Sequence, residues 1–340
     1  MSHSVEIRLP DGSVREIQRG TRVEDIVKDI GPGLARSAIA AAINGRVVEL
    51  FHPLDEGGDF KVLTFDTEDG RYCYRHTAAH VLAQAVKRLF PEVRLAIGPP
   101  IDDGFYYDIE AARPLTPEDL EQIELEMARI IKEDLPLERF ELSREEALQL
   151  MRDQGEKYKE ELIEDLPAGE AISFYRQGEF VDLCRGPHAP RTGRLKHLKL
   201  LNVAGAYWRG DETRPMLQRI YGTAFDKKED LAQFLWRRAE ARKRDHRRLG
   251  PELDLFHLDD VSPGNVFWHP KGTVLYNQLV SFSRDLQGPR NYQEVRTPDI
   301  LKVDLWQQSG HWEFFRDNMF LVDQEGQMFA VKPLNCPGHA

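Results

Sequence analysis

Frequent helix-capping, proline and glycine-turn signals constrain this chain most, because they divide it into short strand-like and helical segments. No apolar run approaches the roughly 18 residues that a membrane span needs. The first ten residues lack the apolar core of a signal peptide. These features predict an α+β multidomain protein of the cytoplasm, without a membrane partner.

Composition narrows the class further. Hydrophobic residues make up 41% of the 340 residues, which is enough to bury a sizeable core. The chain has 46 Lys and Arg against 57 Asp and Glu, a net charge of −11, which excludes a uniformly basic nucleic-acid coat but not a local basic face. Three cysteines cannot form a disulfide framework and indicate a reducing compartment.

We divide the chain into four predicted domains. In the first, 1–66, Thr21 and Glu24 form a predicted capping box that begins a short helix, with Thr21 as the cap. Alternation and turn signals predict strands at 5–9, 14–17, 38–43 and 60–65. Several short strands around one helix indicate a small α+β domain.

The second predicted domain, 67–225, opens with a helix from His76 to Phe90, indicated by its apolar spacing. Thr116 and Ser143 are predicted to cap two further helices. Residues 172–221 are strand-like.

The third domain, 226–250, is predicted to be one long linker helix closed by Gly250 and Pro251. The fourth, 251–340, has a predicted helix at 271–286 and a strand at 292–297. A hairpin is predicted around 324–327.

Basic side chains crowd the second half of the predicted linker helix. Seven fall within twelve residues: Arg237, Arg238, Arg242, Lys243, Arg244, Arg247 and Arg248. They indicate either a solvated linker helix or a strip that faces nucleic-acid phosphates. Charge alone leaves both interpretations open.

Two short motifs could carry chemistry. His76 and His80 are four residues apart, which places both imidazoles on one helix face. Cys184 and His188 flank a Gly-Pro turn that can re-aim their side chains. Each motif alone is compatible with ordinary buried or satisfied residues. Together they have the composition of a tetrahedral metal site, or of a polar pocket around an attacking water, while a Cys–His nucleophile is also conceivable.

Cys336 lies on a Pro-Gly turn and is a candidate first zinc ligand, although a simply packed cysteine is equally compatible with the string. Its partners would be His257, His269 or His311, or residues outside the printed chain. No Gly-rich phosphate loop and no HExxH motif occurs.

The longer strings resemble the bacterial threonyl-tRNA synthetase family along the whole chain, in the right order. They are His76-Thr-Ala-Ala-His80, Asp182-Leu-Cys-Arg-Gly-Pro-His188, Ala204-Gly-Ala-Tyr-Trp-Arg-Gly210, Leu217-Gln-Arg-Ile-Tyr-Gly222, Ser309-Gly-His-Trp312 and Lys332-Pro-Leu-Asn-Cys-Pro-Gly-His339. The paired His and Cys-His motifs are also shared with alanyl-tRNA synthetase editing domains.

The resemblance implies four parts. These are a TGS-like β-grasp domain at 1–66, an editing domain at 67–225, a basic linker helix at 226–250, and the start of a class II catalytic core, an antiparallel sheet domain, at 251–340. The strand at 292–297 would match the dimer-forming motif 1 of that core, so a homodimer is expected of the complete enzyme.

The implied activity is ATP-dependent attachment of threonine to tRNA(Thr), with hydrolytic editing of mischarged seryl-tRNA(Thr). The implied editing residues are His76, His80, Cys184, His188, Asp182, Tyr107 and Lys159. Lys157 is the competing lysine. The resemblance favours water and ester positioning over an essential metal, whereas composition alone favours zinc.

In the synthetic site, the resemblance implies ATP, Mg and a zinc ion with Cys336 as first ligand. The family's two further zinc-ligating His and its motifs 2 and 3 do not occur in the printed residues, so we expect a truncated chain that does not form threonyl-adenylate. Two alternatives are a freestanding seryl-tRNA(Thr) deacylase and a non-catalytic tRNA-binding module.

Overall fold

The computed structural model describes residues 4–167 and 169–339. The chain divides into two compact units, Met1–Ala239 and Glu240–Ala340. Among the described residues, no helix combines the length and apolar character that a bilayer span requires.

The first unit opens with a mixed five-stranded sheet in the order β2-β1-β7-β4-β5, in which β1 and β7 are parallel. Its elements are β1 (Ser4–Arg8), β2 (Val14–Gln18), β3 (Thr21–Arg22), α1 (Val23–Ile30), α2 (Pro32–Ser37), β4 (Ala40–Ile43), β5 (Arg46–Glu49), β6 (Pro53–Leu54) and β7 (Gly58–Leu63). Alternation along β1 turns Val5 and Ile7 inward, and Ile7 packs with Ile26 and Phe60 in one core. The predicted strands in this region are confirmed.

The predicted capping role of Thr21 is wrong. Helix α1 begins after Arg22, which makes no side-chain cap, and the Thr21 hydroxyl instead donates to the Gln18 carbonyl at 2.8 Å. Thr21 belongs to β3, which pairs with β6, so strand pairing fixes the backbone where a cap was expected.

The rest of this unit contains two sheets around a long central helix. Its elements are α3 (Glu68–Leu89), β8 (Arg94–Leu95), β9 (Pro100–Ile101), β10 (Gly104–Glu110), α4 (Pro117–Glu133), β11 (Leu137–Leu142), α5 (Arg144–Gln154), α6 (Lys157–Glu164), β12 (Ile172–Gln177), β13 (Phe180–Leu183), β14 (His197–Tyr207), β15 (Met216–Phe225) and α7 (Lys228–Lys243), which runs across the boundary between the units. One sheet has the order β14-β15-β10-β8, with β9 on β10, and the other is β11-β12-β13.

Helix α3 begins earlier than predicted. Thr67 caps it by accepting a hydrogen bond from the Gly70 amide at 3.2 Å, so the helix starts at Glu68 and not at His76. Because α3 is buried on nearly all sides and carries polar residues inside, its first turns lack the one-sided apolar pattern that marks a surface helix. The predicted caps at Thr116 and Ser143 are both confirmed as capping boxes.

The single long linker helix is also not observed. Helix α7 ends at Lys243, and a second helix, α8 (His246–Glu252), follows it. Asp245 separates them because its carboxylate accepts from the Arg247 amide at 2.9 Å and caps α8. Pro251 lies inside α8 and does not close it.

The second unit carries α8 and then β16 (Phe256–Leu258), β17 (Val266–Trp268), α9 (Pro270–Gln287), β18 (Ile300–Lys302), α10 (Val303–Gln308), α11 (His311–Phe315), β19 (Leu321–Gln324), β20 (Gln327–Val331) and α12 (Cys336–His339). The predicted helix at 271–286 and the hairpin are confirmed. No strand is described at 292–297; the strand of this region is β18, beyond Pro298, and it pairs with β20.

Candidate active site

Four His and Cys side chains converge in the first unit. Helix α3 supplies His76 and His80, and the segment after β13 supplies Cys184 and His188. The Cys184 Sγ lies 3.3 Å from Nε2 of His76 and 3.3 Å from Nε2 of His188. One ligand-type atom from each of the four residues falls within 4.8 Å of the others. The structure therefore brings together the two motifs that the sequence keeps about a hundred residues apart.

The turn between Cys184 and His188 depends on glycine. Gly186 has a φ of +73°, and a Cβ built on it would overlap the Tyr175 hydroxyl. The segment is also tied to β12, since the Cys184 amide donates to the Ser173 carbonyl at 3.1 Å and the Ser173 hydroxyl donates to the Cys184 carbonyl at 2.7 Å. This attachment fixes where the thiol points.

A buried charged group lies beside the four. Asp182, on β13, is 2.7 Å from the Lys159 ammonium through Oδ1 and accepts from the Tyr107 hydroxyl at 2.6 Å through Oδ2. Lys159 also donates to the Tyr107 oxygen at 3.1 Å. His80 Nε2 lies 3.9 Å from Asp182 Oδ2. The group therefore forms a paired, desolvated network that fixes its members in place.

The structure separates the two candidate lysines. The Lys159 side chain is only 4% exposed and faces Asp182, whereas Lys157 is partly exposed and pairs with Glu110 at 2.9 Å. Lys159 is thus the lysine that lies with the other six candidate residues.

Burial keeps the imidazoles neutral. It lowers the pKa of His76 to about 3, with His80 adding repulsion, and it lowers the pKa of His80 to about 4. The pKa of His188 also falls far below its usual range, first through burial and then through the two neighbouring histidines. Burial raises the pKa of the Cys184 thiol to about 12, so the sulfur carries its proton at neutral pH.

Asp182 keeps its charge. Burial alone would raise its pKa, but Lys159 and then His80 outweigh that effect and lower it. The site thus combines one buried carboxylate, one buried ammonium and three neutral imidazoles, an arrangement suited to orienting a water and a polar substrate.

The hydrogen-bond partners indicate the tautomers. His76 Nδ1 faces the Pro187 carbonyl at 3.3 Å, so it carries the proton and leaves the Nε2 lone pair towards Cys184. Thr77 donates its own proton to the Cys73 carbonyl, so its oxygen accepts from His188 Nδ1, 3.5 Å away. Two imidazole lone pairs therefore converge on one thiol, which has a single proton to donate.

His80 retains a free nitrogen. Its Nδ1 is buried and has no hydrogen-bond partner within 4–167 and 169–339. A buried ring nitrogen without a protein partner still has one hydrogen bond to make, which a polar substrate group can supply.

A cavity of about 480 Å³ opens one helical turn before His76. Its lining includes Arg71, Tyr72 and Arg75, and the Tyr72 ring lies 5.8 Å from the His76 ring. Glu68 and Asp102 also line the cavity, so its wall combines two arginines, two acidic residues and one aromatic ring on which a base could stack.

Residue-level sequence reasoning missed three groups around the cluster. Thr77 accepts from the Ala189 amide at 2.8 Å, Tyr175 lies edge-on to His188 at 4.4 Å, and Glu49 accepts from the His188 amide at 3.1 Å. Thr77 could have been found from its place beside His76. Glu49 could not, because it belongs to the first sheet, and no local signal connects that sheet to the cluster.

Cys336 does not join a comparable cluster. It is exposed at the start of α12, and the described residues contain no metal-type group of three or more that includes it. Of its candidate partners, His257 and His269 contact each other at 2.7 Å, and His311 contacts Ser309 at 2.8 Å.

The seven basic residues are all exposed and lie on α7, on α8 and in the break between them. Glu240 pairs with Lys243 at 2.6 Å and with Arg244 at 3.2 Å. Arg237 and Arg242 have no ion-pair partner in the described part of the chain, so their charges are free for an anion.

Comparison with known proteins agrees with this architecture. The TGS domain family matches residues 5–64, and the family described as "Threonyl and Alanyl tRNA synthetase second additional domain" matches residues 172–221, which include Cys184 and His188.

Among curated relatives, a threonine--tRNA ligase of Clostridium tetani is 55% identical over 98% of this chain and 52% of its own length. A threonine--tRNA ligase of Desulforamulus reducens is 56% identical over 98% of this chain and 53% of its own length. The chain thus spans about half the length of these relatives.

A solved structure, "Crystal Structure of the RNA binding domain of Threonyl-tRNA synthetase from Cryptosporidium parvum Iowa II", is 49% identical, with a TM-score of 0.28. The match covers 28% of this chain and 24% of the length of the other. The identity to the curated relatives and the two domain matches identify the chain as a homologue of the threonine--tRNA ligases. It carries a TGS domain and the second additional domain of the threonyl and alanyl enzymes.

Proposed function

We propose that this chain contains the editing centre of a threonyl-tRNA synthetase, and that the centre hydrolyses seryl-tRNA(Thr). The observation that carries this proposal is the convergence of His76, His80, Cys184 and His188 beside the buried Asp182–Lys159 pair. The complete protein would attach threonine to tRNA(Thr) with ATP and Mg and act as a cytoplasmic homodimer.

The need for editing has a physical origin. Serine lacks only the methyl group of threonine, and one methyl is worth about 1–3 kcal/mol of discrimination. That difference is too small for accurate translation, so a second site that hydrolyses the wrong ester is required.

The proposed reaction is ester hydrolysis. A water attacks the seryl carbonyl carbon, the bond between that carbon and the ribose oxygen breaks, and the ribose oxygen takes up a proton while the water loses one. The neutral imidazoles can accept hydrogen bonds from the attacking water and orient it, whereas their low pKa values make them weak proton acceptors. Lys159 and Tyr107 hold Asp182, which faces His80 and orients it.

Positioning without a metal remains our proposal for this centre, although its donor set also fits zinc. A tetrahedral zinc with thiolate and imidazole ligands places sulfur and nitrogen about 3.5 Å apart, close to the 3.3 Å separations seen here. His76, His80, Cys184 and His188 would then be the ligands. With all four positions filled by protein, such a zinc would hold the site together as a closed structural centre and would leave no position for the attacking water. The second zinc, of the synthetic site, would take Cys336 as one ligand.

Two surfaces support tRNA binding. The cavity beside His76 would receive the terminal nucleotide between Arg71, Tyr72 and Arg75. The exposed cations of α7 and α8 would contact phosphates further along the tRNA.

We also propose that the first sheet is a TGS-type β-grasp domain at 1–66 and that 67–225 is the editing domain. The basic segment at 226–250 would link these two domains to a class II core, of which 251–340 would be the first part. The mixed sheet and the long central helix support the first two assignments.

Deacylation of tRNA(Thr) carrying labelled serine or threonine tests the proposal. We expect the chain to release serine at least tenfold faster than the buffer and to leave threonine attached. Lys159→Ala should abolish release, while Lys157→Ala, the matched exposed control, should retain it. Binding of tRNA without release would instead support a non-catalytic module and overturn the proposal.

A further inference from the structure

One residue of the first sheet reaches into the candidate active site. Glu49 is the last residue of β5 and is only half-buried, yet its carboxylate takes two hydrogen bonds from the neighbouring domain. The His188 amide donates to its Oε1 at 3.1 Å, and the Tyr175 hydroxyl donates to the same carboxylate.

Both donors control the position of His188. The first is the backbone amide of His188 itself, and the second belongs to the ring that lies edge-on to the imidazole, with 4.4 Å between ring centres. Glu49 therefore restrains the histidine through its main chain and through its packing partner.

The His188 ring has contacts of its own, with the Cys184 Sγ at 3.3 Å and the Thr77 hydroxyl oxygen at 3.5 Å, whereas Glu49 holds its main chain. Ser173 fixes the Cys184 end, and Thr77 accepts from the Ala189 amide. The first sheet holds the His188 main chain through the hydrogen bond from its amide to Glu49.

Removing the carboxylate would leave a buried amide and a mostly buried hydroxyl without their partners. Such groups relax to find new ones, and displacements of about 1 Å are enough to impair catalysis strongly. The Cys184 Sγ to His188 Nε2 separation of 3.3 Å would be the first geometry to change.

We propose that Glu49 is a positioning residue of the editing centre, through which the TGS domain sets the orientation of His188. This inference rests on the proposed function, because the residue positioned is one of the proposed catalytic histidines. It gives the N-terminal domain a direct part in hydrolysis.

The test compares Glu49→Ala, Glu49→Gln and Glu49→Asp in the full chain, with Glu56→Ala as control. Glu56 is an exposed glutamate of the same domain, paired with Arg46. We expect Glu49→Ala to lower the single-turnover rate of seryl-tRNA(Thr) deacylation about tenfold. The tRNA concentration that gives half of the maximal rate should stay unchanged. Glu49→Gln keeps an acceptor oxygen for His188 and should stay within about threefold of wild type.

A second readout does not need activity. Hydrogen exchange at the His188 amide, followed by NMR, should accelerate in Glu49→Ala and Glu49→Asp but not in Glu56→Ala. If Glu49→Ala does not fold, Glu49→Asp and Glu49→Gln decide. The inference is overturned if Glu49→Asp, and Glu49→Ala where it folds, keep the wild-type deacylation rate and the wild-type exchange rate at the His188 amide. It is also overturned if Glu49→Gln loses as much activity as Glu49→Asp. Faster exchange in a chain without deacylase activity would refute the proposed function and support the contact.

Discussion

Two segments of this molecule are built from nearly the same residue types and have opposite surroundings. Cys184 and His188 enclose a Gly-Pro turn in the first unit, and Cys336 and His339 enclose a Pro-Gly turn in the second. The first segment is packed against α3 and meets two further histidines. The second lies on an exposed short helix, outside any described metal-type cluster.

The difference shows that a short motif does not define a site without the elements that converge on it. Three elements hold the first segment by one hydrogen bond each. Strand β12 binds the Cys184 carbonyl through Ser173. Helix α3 binds the Ala189 amide through Thr77, and the first sheet binds the His188 amide through Glu49. Burial then lowers the pKa values of the histidines in the cluster and raises that of the Cys184 thiol.

The largest expected effect concerns His80, which retains the free ring nitrogen. We expect His80→Ala to lower seryl-tRNA(Thr) deacylation at least about 100-fold, because misplacing the reacting groups by about 1 Å can cost that much. The exposed His257→Ala is the control and should leave the rate unchanged. Near-wild-type hydrolysis by His80→Ala would show that the histidines that surround the first segment give it no catalytic role.

Asp182→Asn should reduce stability as well as activity. It leaves the Lys159 ammonium buried without its counter-charge, and breaking such a pair typically costs about 3–5 kcal/mol. Urea unfolding at pH 7 measures the loss. Asp323→Asn, at an exposed strand position, is the matched change and should have little effect on the unfolding midpoint.

Thiol reactivity compares the two cysteines directly. The Cys184 thiol is protonated and packed, since burial raises its pKa to about 12, whereas Cys336 is exposed. We expect Cys336 to react with a disulfide reagent at pH 7.5 at least about tenfold faster than Cys184. Mass spectrometry of the labelled peptides measures both rates, and equal rates would show that the first segment is open to solvent.

Acid should weaken the first unit specifically. The folded-state pKa values of His76 and His80, about 3 and about 4, lie below the ordinary value of 6.5. The unfolded chain therefore binds more protons at these two histidines, so their contribution to stability is complete above pH 6.5 and is lost as the pH drops from about 6.5 towards 4. Denaturant unfolding across that range, compared between wild type and His80→Gln, should show a shallower loss in the variant. An identical slope would contradict the assigned neutral state.

The smallest effect is expected at the basic surface. Arg237 and Arg242 are exposed and have no ion-pair partner among the residues that the structure describes. The double variant Arg237→Ala with Arg242→Ala should therefore weaken tRNA binding a few-fold and lower the number of ions released on binding by about two. Binding titrations at several salt concentrations measure both quantities. Arg247→Ala, whose partner is Asp245, is the control and should change the salt dependence less.

The sequence predicts those elements correctly that neighbouring residues determine, and it fails where contacts with distant residues decide. The strands β1 and β2 and the helix caps Thr116 and Ser143 depend on neighbouring residues, and the sequence predicts all of them correctly. The start of α3 and the role of Thr21 depend on burial and on strand pairing with distant residues, and both predictions were wrong.

The same division applies to the candidate site. His76 with His80, and Cys184 with His188, were visible as spacings, and the resemblance to a known family added Tyr107, Lys159 and Asp182. The contacts of Glu49 and Tyr175 were not predictable, because they arise only when the first sheet meets the second domain.

The most direct measurement is the single-turnover deacylation of seryl-tRNA(Thr) by Cys184→Ala and Cys336→Ala, each in the full chain. We expect Cys184→Ala to lose most of the rate, since the thiol lies between two of the three histidines. Cys336→Ala should retain the wild-type rate. Equal rates in the two variants, or a loss confined to Cys336→Ala, would contradict the assignment of the editing centre.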